Sequence, residues 1–158
     1  MNPAKQLSSE LKRNLYVIVA QTDGLSHEES LIQPPFNANC MNWILGHMVV
    51  GRTTWHRLTA TTAPFDATAY ARFERDSPPI TGPGDGLPLA QLLADLAASN
   101  DVLLARLAEM SDADFAALVE GSDRSVESRL GFHSWHETYH VGQTELLRQV
   151  AGKNDKII

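Results

Sequence analysis

The stretch His136-Glu137-Thr138-Tyr139-His140 carries two histidines four residues apart within a segment of helical periodicity. On an α-helix this spacing offsets the two side chains by only about 40° and by about one turn along the axis. Both imidazoles can therefore bind one metal ion, and the carboxylate beside them can reach a metal-bound water. His-Glu-x-x-His also occurs by chance in unrelated helices, so the rest of the chain decides what these five residues mean.

Zinc proteases that carry this motif take a third ligand from a residue downstream of it. Only residues 141–158 follow His140, and they contain one glutamate, Glu145, and no histidine. Glu145 is five residues beyond His140, which turns its side chain away from the two imidazoles. We therefore expect no downstream ligand. This argues against a protease, and a third ligand has to come from earlier in the chain.

The composition is that of an ordinary globular protein. Of the 158 residues, 43% are hydrophobic and 20% are charged, and the net charge at pH 7 is −6. A chain of this length is expected to form one domain, residues 1–158, with a sizeable core. The acidic balance and the lack of a run of lysines and arginines argue against a nucleic-acid partner.

Targeting and redox features favour the cytoplasm. Residues 1–6 lead into a polar amphipathic pattern, which is not that of a signal peptide. No apolar run approaches the length that spans a membrane, so no membrane association is expected. The lone cysteine, Cys40, cannot form an intrachain disulfide and suits a reducing compartment. We expect Cys40 to be a buried structural thiol.

Apolar residues recur at helical spacing in four segments, and no segment of strand length alternates with a period of two. The predicted helices span residues 4–23, 40–60, 89–110 and 125–151. The polar run 37–39 offers an N-cap for the second helix. Residues 61–86 are rich in proline and glycine and predict a long loop, of a kind that is usually functional or mobile. Four amphipathic helices in one small domain indicate an all-α four-helix bundle.

His47 lies on the apolar face of the second predicted helix, where a lone histidine is more often a hydrogen-bonded core residue than a ligand. On a helical wheel, however, His136 and His140 also face inward from the fourth helix. Buried together without partners, the three neutral imidazoles would carry unsatisfied nitrogens at a considerable cost. A metal ion bound between facing helices removes that cost, so the three histidines predict one metal site.

Two motifs surround these histidines. The first is Asn42-Trp43-Ile44-Leu45-Gly46-His47, and the second is His136-Glu137-Thr138-Tyr139-His140-Val141-Gly142-Gln143, followed by Leu146-Leu147-Arg148. Over nearly its whole length the chain resembles the DinB-like superfamily, also called YfiT-like metal-dependent hydrolases. The resemblance implies an up-down-down-up four-helix bundle. It also implies a homodimer and one divalent metal ion per chain on the three histidines, His47, His136 and His140.

Members of this superfamily include thiol-dependent transferases and isomerases, and many have no assigned activity. We therefore expect a metal-dependent enzyme that acts on a small molecule, with an open metal position for water or a substrate thiol. Zinc and nickel both suit a site built only of imidazoles. The alternative is a non-catalytic metal-binding bundle that serves as a dimeric scaffold or sensor.

Two residues beside the histidine pair each have two possible roles. Glu137 is offset by about 80° from the pair, which suits a catalytic general base; otherwise its carboxylate lies on the helix rim. His133, one turn before His136, lines the pocket or supports the ligands; otherwise it is a satisfied core or rim histidine. A pocket lined by Glu137, His133 and residues 61–86 favours catalysis, whereas a sealed site favours the alternative.

Five further residues complete the set of candidates. Trp43, one turn before the ligand on its own helix, is expected to be a core aromatic near the metal. Tyr139 offers a hydroxyl to the pocket, although core packing is the simpler interpretation, and Gln143 either orients a ligand or fills the helix interface. His27 and His56 have no partner at a useful spacing, so both are expected at the surface.

Overall fold

The computed structural model describes residues 2–155, in which helices connected by turns and loops are the regular secondary structure. Its helices are α1 (Pro3–Thr22), α2 (His27–Ser30), α3 (Met41–Leu58), a 3₁₀ helix (Ala67–Phe73), α4 (Leu89–Glu109), α5 (Asp112–Ala116) and α6 (Val126–Val150). Within residues 2–155 there is no strand, only an isolated antiparallel bridge between Leu118 and Ser125. The all-α prediction is confirmed, and the bounds of the long helices lie within two residues of those predicted. No helix in this range is both long enough and apolar enough to cross a bilayer.

Local signals explain where α1 and α6 begin. α1 starts at Pro3, which needs no partner for a backbone N–H in the first turn, and the Asn2 side chain accepts a hydrogen bond from the Lys5 backbone. The Ser125 side chain caps α6 in the same way. Gly152 follows the end of α6 with a positive φ, the conformation that commonly ends a helix.

α3 begins without such a cap. Cys40 occupies its N-cap position and makes no side-chain hydrogen bond there, so the predicted cap within residues 37–39 is wrong. The thiol is fully buried, as expected, and burial raises the pKa of Cys40. A buried thiol with a raised pKa is a poor nucleophile, which agrees with a structural role.

The four long helices pack side by side, since α1 and α3 each contact both α4 and α6. Their inward apolar residues form two clusters, one around Trp43 and the other around Trp55. Burial of each large apolar side chain contributes about 1.5–3 kcal/mol, so these faces are the main source of stability. The contact of α3 with α6 brings His47 opposite His140.

The predicted loop 61–86 contains the 3₁₀ helix, which packs against α3. The Phe73 ring lies over Gly46, where a Cβ atom on residue 46 would overlap the ring. Tyr70 is buried, and its hydroxyl donates a hydrogen bond to Asp95 of α4. These contacts anchor the segment to two long helices.

The prediction that His56 lies at the surface is wrong, because only 2% of the residue is accessible. Its Nδ1 lies 2.8 Å from the Thr61 hydroxyl, and its Nε2 lies 2.9 Å from the Ser99 hydroxyl of α4. The two hydroxyls satisfy both ring nitrogens, so the neutral ring can be buried. His27, the other histidine expected at the surface, is half-buried in α2.

His56 makes the stability of the protein depend on pH. Burial, with a further contribution from the Arg52 charge, lowers the pKa of His56 below its ordinary value of 6.5. As the pH falls, the unfolded chain is therefore protonated at this residue before the folded chain. The contribution of His56 to the free energy of unfolding is fully present above about pH 6.5 and is lost as the pH falls towards the folded-state pKa.

We expect His56→Gln to lose less stability than the wild type between about pH 8 and pH 5.5. The measurement is urea unfolding of the metal-free proteins at both pH values. An equal loss in the two proteins would contradict this role of His56.

Candidate metal centre

Three imidazoles converge between α3 and α6. One nitrogen from each of His47, His136 and His140 lies within 4.8 Å of the other two. The i, i+4 spacing on α6 puts His136 and His140 on one face, where their Nε2 atoms are 3.2 Å apart. His47 reaches this pair from the facing helix, and its ring centroid lies 5.0 Å from that of His140. The fold thus brings together the three residues predicted as ligands.

The segment after α3 orients the His47 ring. Its Nδ1 lies 2.7 Å from the Phe73 carbonyl oxygen. Because a carbonyl oxygen can only accept, Nδ1 donates to it, which leaves Nε2 as the nitrogen available to a metal ion. The ring also stacks on Trp43, with 4.8 Å between centroids and 14° between planes. A backbone carbonyl on the far nitrogen is a common support for a metal-binding imidazole.

Gln143 orients His140 in the same way. Its Oε1 atom lies 2.7 Å from His140 Nδ1, which donates to it. Gln143 is three residues further along α6, so the two side chains lie on neighbouring positions of one helix face. The Nε2 atom of His140 then points to His136.

Burial favours the neutral form of both rings on α6. Burial is the main cause that lowers the pKa of His140 to about 4, and the neighbouring His136 and His47 contribute to the same shift. Burial is also the main cause that lowers the pKa of His136. At neutral pH these rings offer lone pairs, which is the state that metal binding requires. Nitrogens at 2.0–2.1 Å from a tetrahedral zinc ion lie about 3.3 Å apart, so the 3.2 Å between the Nε2 atoms of His136 and His140 suits two ligands of such an ion.

A cavity of about 520 Å³ opens beside the rings. Besides the three histidines, its wall contains the aromatic residues Trp43, Phe132 and Tyr139, the polar residues Asn37, Asn39, Ser77 and Gln143, and the charged pair Arg75 and Asp76. Of the three parts named as favouring catalysis, residues 61–86 therefore contribute to this wall. Trp43 donates a hydrogen bond from Nε1 to the Ser77 hydroxyl, 3.0 Å away, which joins α3 to the rim.

Two aromatic residues near the cluster differ in placement. Trp43 is buried beside His47, as expected. Tyr139 is 58% exposed and lies on the wall of the cavity, so the core-packing interpretation is wrong. Its position on α6 turns it away from the neighbouring helices, whereas His136 and His140 face α3.

Glu137 does not lie where the sequence placed it. Only 5% of its side chain is accessible, and it is absent from the wall of the cavity. Its Oε2 lies 2.6 Å from Arg52 Nε, and its Oε1 accepts from Arg52 Nη2 at 2.8 Å. The expected carboxylate beside the open side of the site is therefore wrong. One residue on from His136 is a turn of about 100°, which carries Glu137 into the interior.

The sequence comparison agrees with this geometry. A family profile described as the DinB superfamily matches residues 10–144, which include all three histidines. The chain belongs to the DinB superfamily. No curated protein matches the chain. The family assignment proposed from the two histidine motifs is confirmed.

In this DinB-superfamily chain the predicted site did not include Arg52, or Asn14 and Asn100, which bind the Arg52–Glu137 ion pair. Arg52 Nη1 donates to Asn100 Oδ1 at 3.2 Å, and Asn14 Nδ2 donates to Glu137 Oε1 at 3.1 Å. A signal was present, because Arg52 follows Val49 by three residues on the buried stripe of α3. A cation at such a position needs a buried partner.

His133 also lies outside the cavity wall. It is half-buried, and its Nε2 has no hydrogen-bond partner among the described residues. Burial lowers the pKa of His133 to about 4, with a smaller contribution from the Arg129 charge. The prediction that it lines the pocket is therefore wrong.

We expect Gly46→Ala to destabilise the protein by about 1–3 kcal/mol, the usual cost of overpacking. The new methyl group would collide with the Phe73 ring and displace the carbonyl that orients His47. The matched control is Gly51→Ala on the same helix, where a Cβ atom meets nothing within 4 Å. This control should gain about 0.5–1 kcal/mol. Thermal unfolding measures both, and a neutral Gly46→Ala would contradict the close packing.

Proposed function

We propose that the protein binds one divalent metal ion per chain, zinc or nickel, through His47, His136 and His140. The convergence of their nitrogens within 4.8 Å is the observation that carries this proposal. The family match and the fit of the nitrogen spacing to a metal ion support it. An all-imidazole donor set suits both metals.

We also propose that the site is catalytic. Catalytic zinc sites keep a coordination position open, whereas structural sites are closed by four protein ligands. Among the described residues, the cluster contains three potential ligands and adjoins an open cavity. A divalent ion held there would act as a Lewis acid and would lower the pKa of a coordinated water or thiol.

The residues of the chain define what the cavity accepts. Trp43, Phe132 and Tyr139 offer apolar surface to the non-reacting part of a small molecule. The Phe73 carbonyl oxygen orients the imidazole of His47, and the Gln143 side-chain oxygen orients that of His140. These features suit a hydrolase or a thiol-dependent transferase or isomerase with a small-molecule substrate.

We expect purified wild-type protein to hold close to one divalent ion per chain. His136→Ala should lose this ion, because two imidazoles alone make a weak site, whereas His27→Ala on α2 should keep it. The measurement is elemental analysis of protein dialysed against metal-free buffer. Full metal occupancy in His136→Ala would overturn the assignment of the ligands.

The same variants test catalysis in a screen of esters, amides and low-molecular-weight thiols. Turnover by the wild type and by His27→Ala, but not by His136→Ala, supports a metal-dependent enzyme. A wild type that holds its metal and turns over no compound favours the non-catalytic scaffold or sensor.

We further propose that the long helices form a single up-down-down-up bundle. Contacts between neighbouring helices support parallel α1 and α6, parallel α3 and α4, and antiparallel α3 and α6. The pairs between α1 and α6 are Glu10–Ser134 and Gln21–Arg148. Those between α3 and α4 are Arg52–Asn100 and, just beyond the end of α3, Thr59–Arg106. Those between α3 and α6 are His47–His140 and Arg52–Glu137. In the first two sets the residue numbers rise together along both helices, whereas in the third they run in opposite directions.

We propose that two copies associate through the outer face of α6. This face carries an exposed apolar stripe, Phe132, Trp135, Tyr139 and Leu146, at the spacing of one helix side. A contiguous exposed stripe of this kind is typical of an interaction surface. Membership of a family that is often dimeric favours a second copy of the chain as its partner.

We expect the wild type to sediment as a dimer at micromolar concentration and Trp135→Glu to sediment as a monomer. Trp135 is 62% exposed, so the change should spare the fold while placing a charge in the interface. Tyr16→Glu is the matched control, because Tyr16 is 70% exposed on α1 and lies outside the stripe. A monomeric wild type, or a dimeric Trp135→Glu, would refute the proposed interface.

A further inference from the structure

A buried ion pair lies next to the histidine cluster, between the same two helices. Arg52 follows His47 by five residues on α3, and Glu137 directly follows His136 on α6. The accessible fractions of the two side chains are 0% and 5%. The pair therefore joins the helix that carries one proposed ligand to the helix that carries the other two.

The pair has two points of contact. Arg52 Nε lies 2.6 Å from Glu137 Oε2, and Nη2 lies 2.8 Å from Oε1. The Nη2 contact is a hydrogen bond and the Nε contact is an ion-pair approach, and together they fix orientation as well as distance, because the guanidinium and the carboxylate are both planar. A slip of α6 by one residue would move Glu137 by about 1.5 Å along the axis and turn it by about 100°. Such a slip would break both contacts.

The remaining two long helices hold the pair from the sides. Asn100 of α4 accepts a hydrogen bond from Arg52 Nη1 at 3.2 Å. Asn14 of α1 donates to Glu137 Oε1 at 3.1 Å and also bonds to Thr138. Side chains from all four long helices therefore meet at this point, and their contacts fix the position of each helix along the bundle axis.

The energetics of the buried Arg52–Glu137 pair favour a role in specifying how the helices pack rather than in stabilising the fold. A well-packed apolar pair often stabilises a protein as much as a buried ion pair does, because desolvation of two charges is costly. A buried ion pair nevertheless strongly penalises any arrangement that separates its charges. Both carboxylate oxygens of Glu137 are occupied, and the residue does not line the cavity. Direct contact with a substrate is therefore not its role.

We propose that Arg52 and Glu137 are positioning residues, whose ion pair sets the register of α6 on α3 and so holds His136 and His140 opposite His47. This inference rests on the proposed metal site, and it explains how two helices bring their ligands to the same level. It also assigns the glutamate of the His-Glu-x-x-His motif a role away from the reacting molecule.

The main test replaces the pair by apolar residues in Arg52→Met/Glu137→Leu. This double variant should fold and unfold cooperatively, because the interior stays filled. Its affinity for Zn²⁺, measured by competition with a chelator, should fall by about 10–100-fold, as for the loss of other groups that orient ligands. The visible spectrum of bound Co²⁺, which reports coordination geometry, should change as well.

Two further variants keep the test decisive. Arg52→Lys retains the charge but cannot reach both carboxylate oxygens with a planar group, so it should fold and lose Zn²⁺ affinity by about tenfold. Ser134→Ala is the control, because Ser134 lies two residues before His136 but bonds to Glu10 of α1 rather than to α3. Its Zn²⁺ affinity should equal that of the wild type.

Wild-type affinity in Arg52→Lys, or in a folded double variant, overturns the positioning role. If the double variant does not fold, Arg52→Lys decides alone. An equal loss in Ser134→Ala also overturns it, since that result indicates a general loosening of α6. Failure of the wild type to bind Zn²⁺ or Ni²⁺ overturns the metal site itself and the positioning role with it.

Discussion

The guanidinium of Arg52 is fully buried, on a helix whose other inward residues are mostly apolar. A charge in such a place requires a counter-charge, and Glu137 of α6 supplies it. With Glu137 turned inward, the helical repeat leaves the neighbouring His136 and His140 facing α3 at the cavity. In the His-Glu-x-x-His motif of α6, Glu137 therefore joins two helices, whereas His136 and His140 line the cavity.

The segment 61–86 supports the same site from the outside. Phe73 contacts α3 twice, since its ring lies over Gly46 and its carbonyl oxygen accepts from His47. Ser77 binds the indole of Trp43, on which the His47 ring stacks. A stretch that lacks the long-helix pattern is thus tied to α3. This explains why glycine at position 46 suits the close approach.

The helices and the three histidines could be predicted because both depend on spacing within one helix. The exposure of a side chain is harder to predict from the sequence, because it depends on which neighbouring element covers that face of the helix. His56 is buried by α4 and Thr61, Glu137 by Arg52, and Tyr139 remains uncovered; none of these follows from a helical wheel alone. Arg52 on the apolar stripe of α3 was the one local sign that a buried carboxylate had to lie opposite.

The pairing of the acidic groups of the cavity wall and of the neighbouring interior has an electrostatic consequence. The charge of Glu137 is cancelled by Arg52, and Asp76 on the wall lies 3.7 Å from Arg75. Imidazoles that bind a metal are neutral, so a divalent ion held as proposed would keep both of its positive charges uncompensated. The field in the cavity would then attract carboxylates, phosphates and thiolates and repel amines.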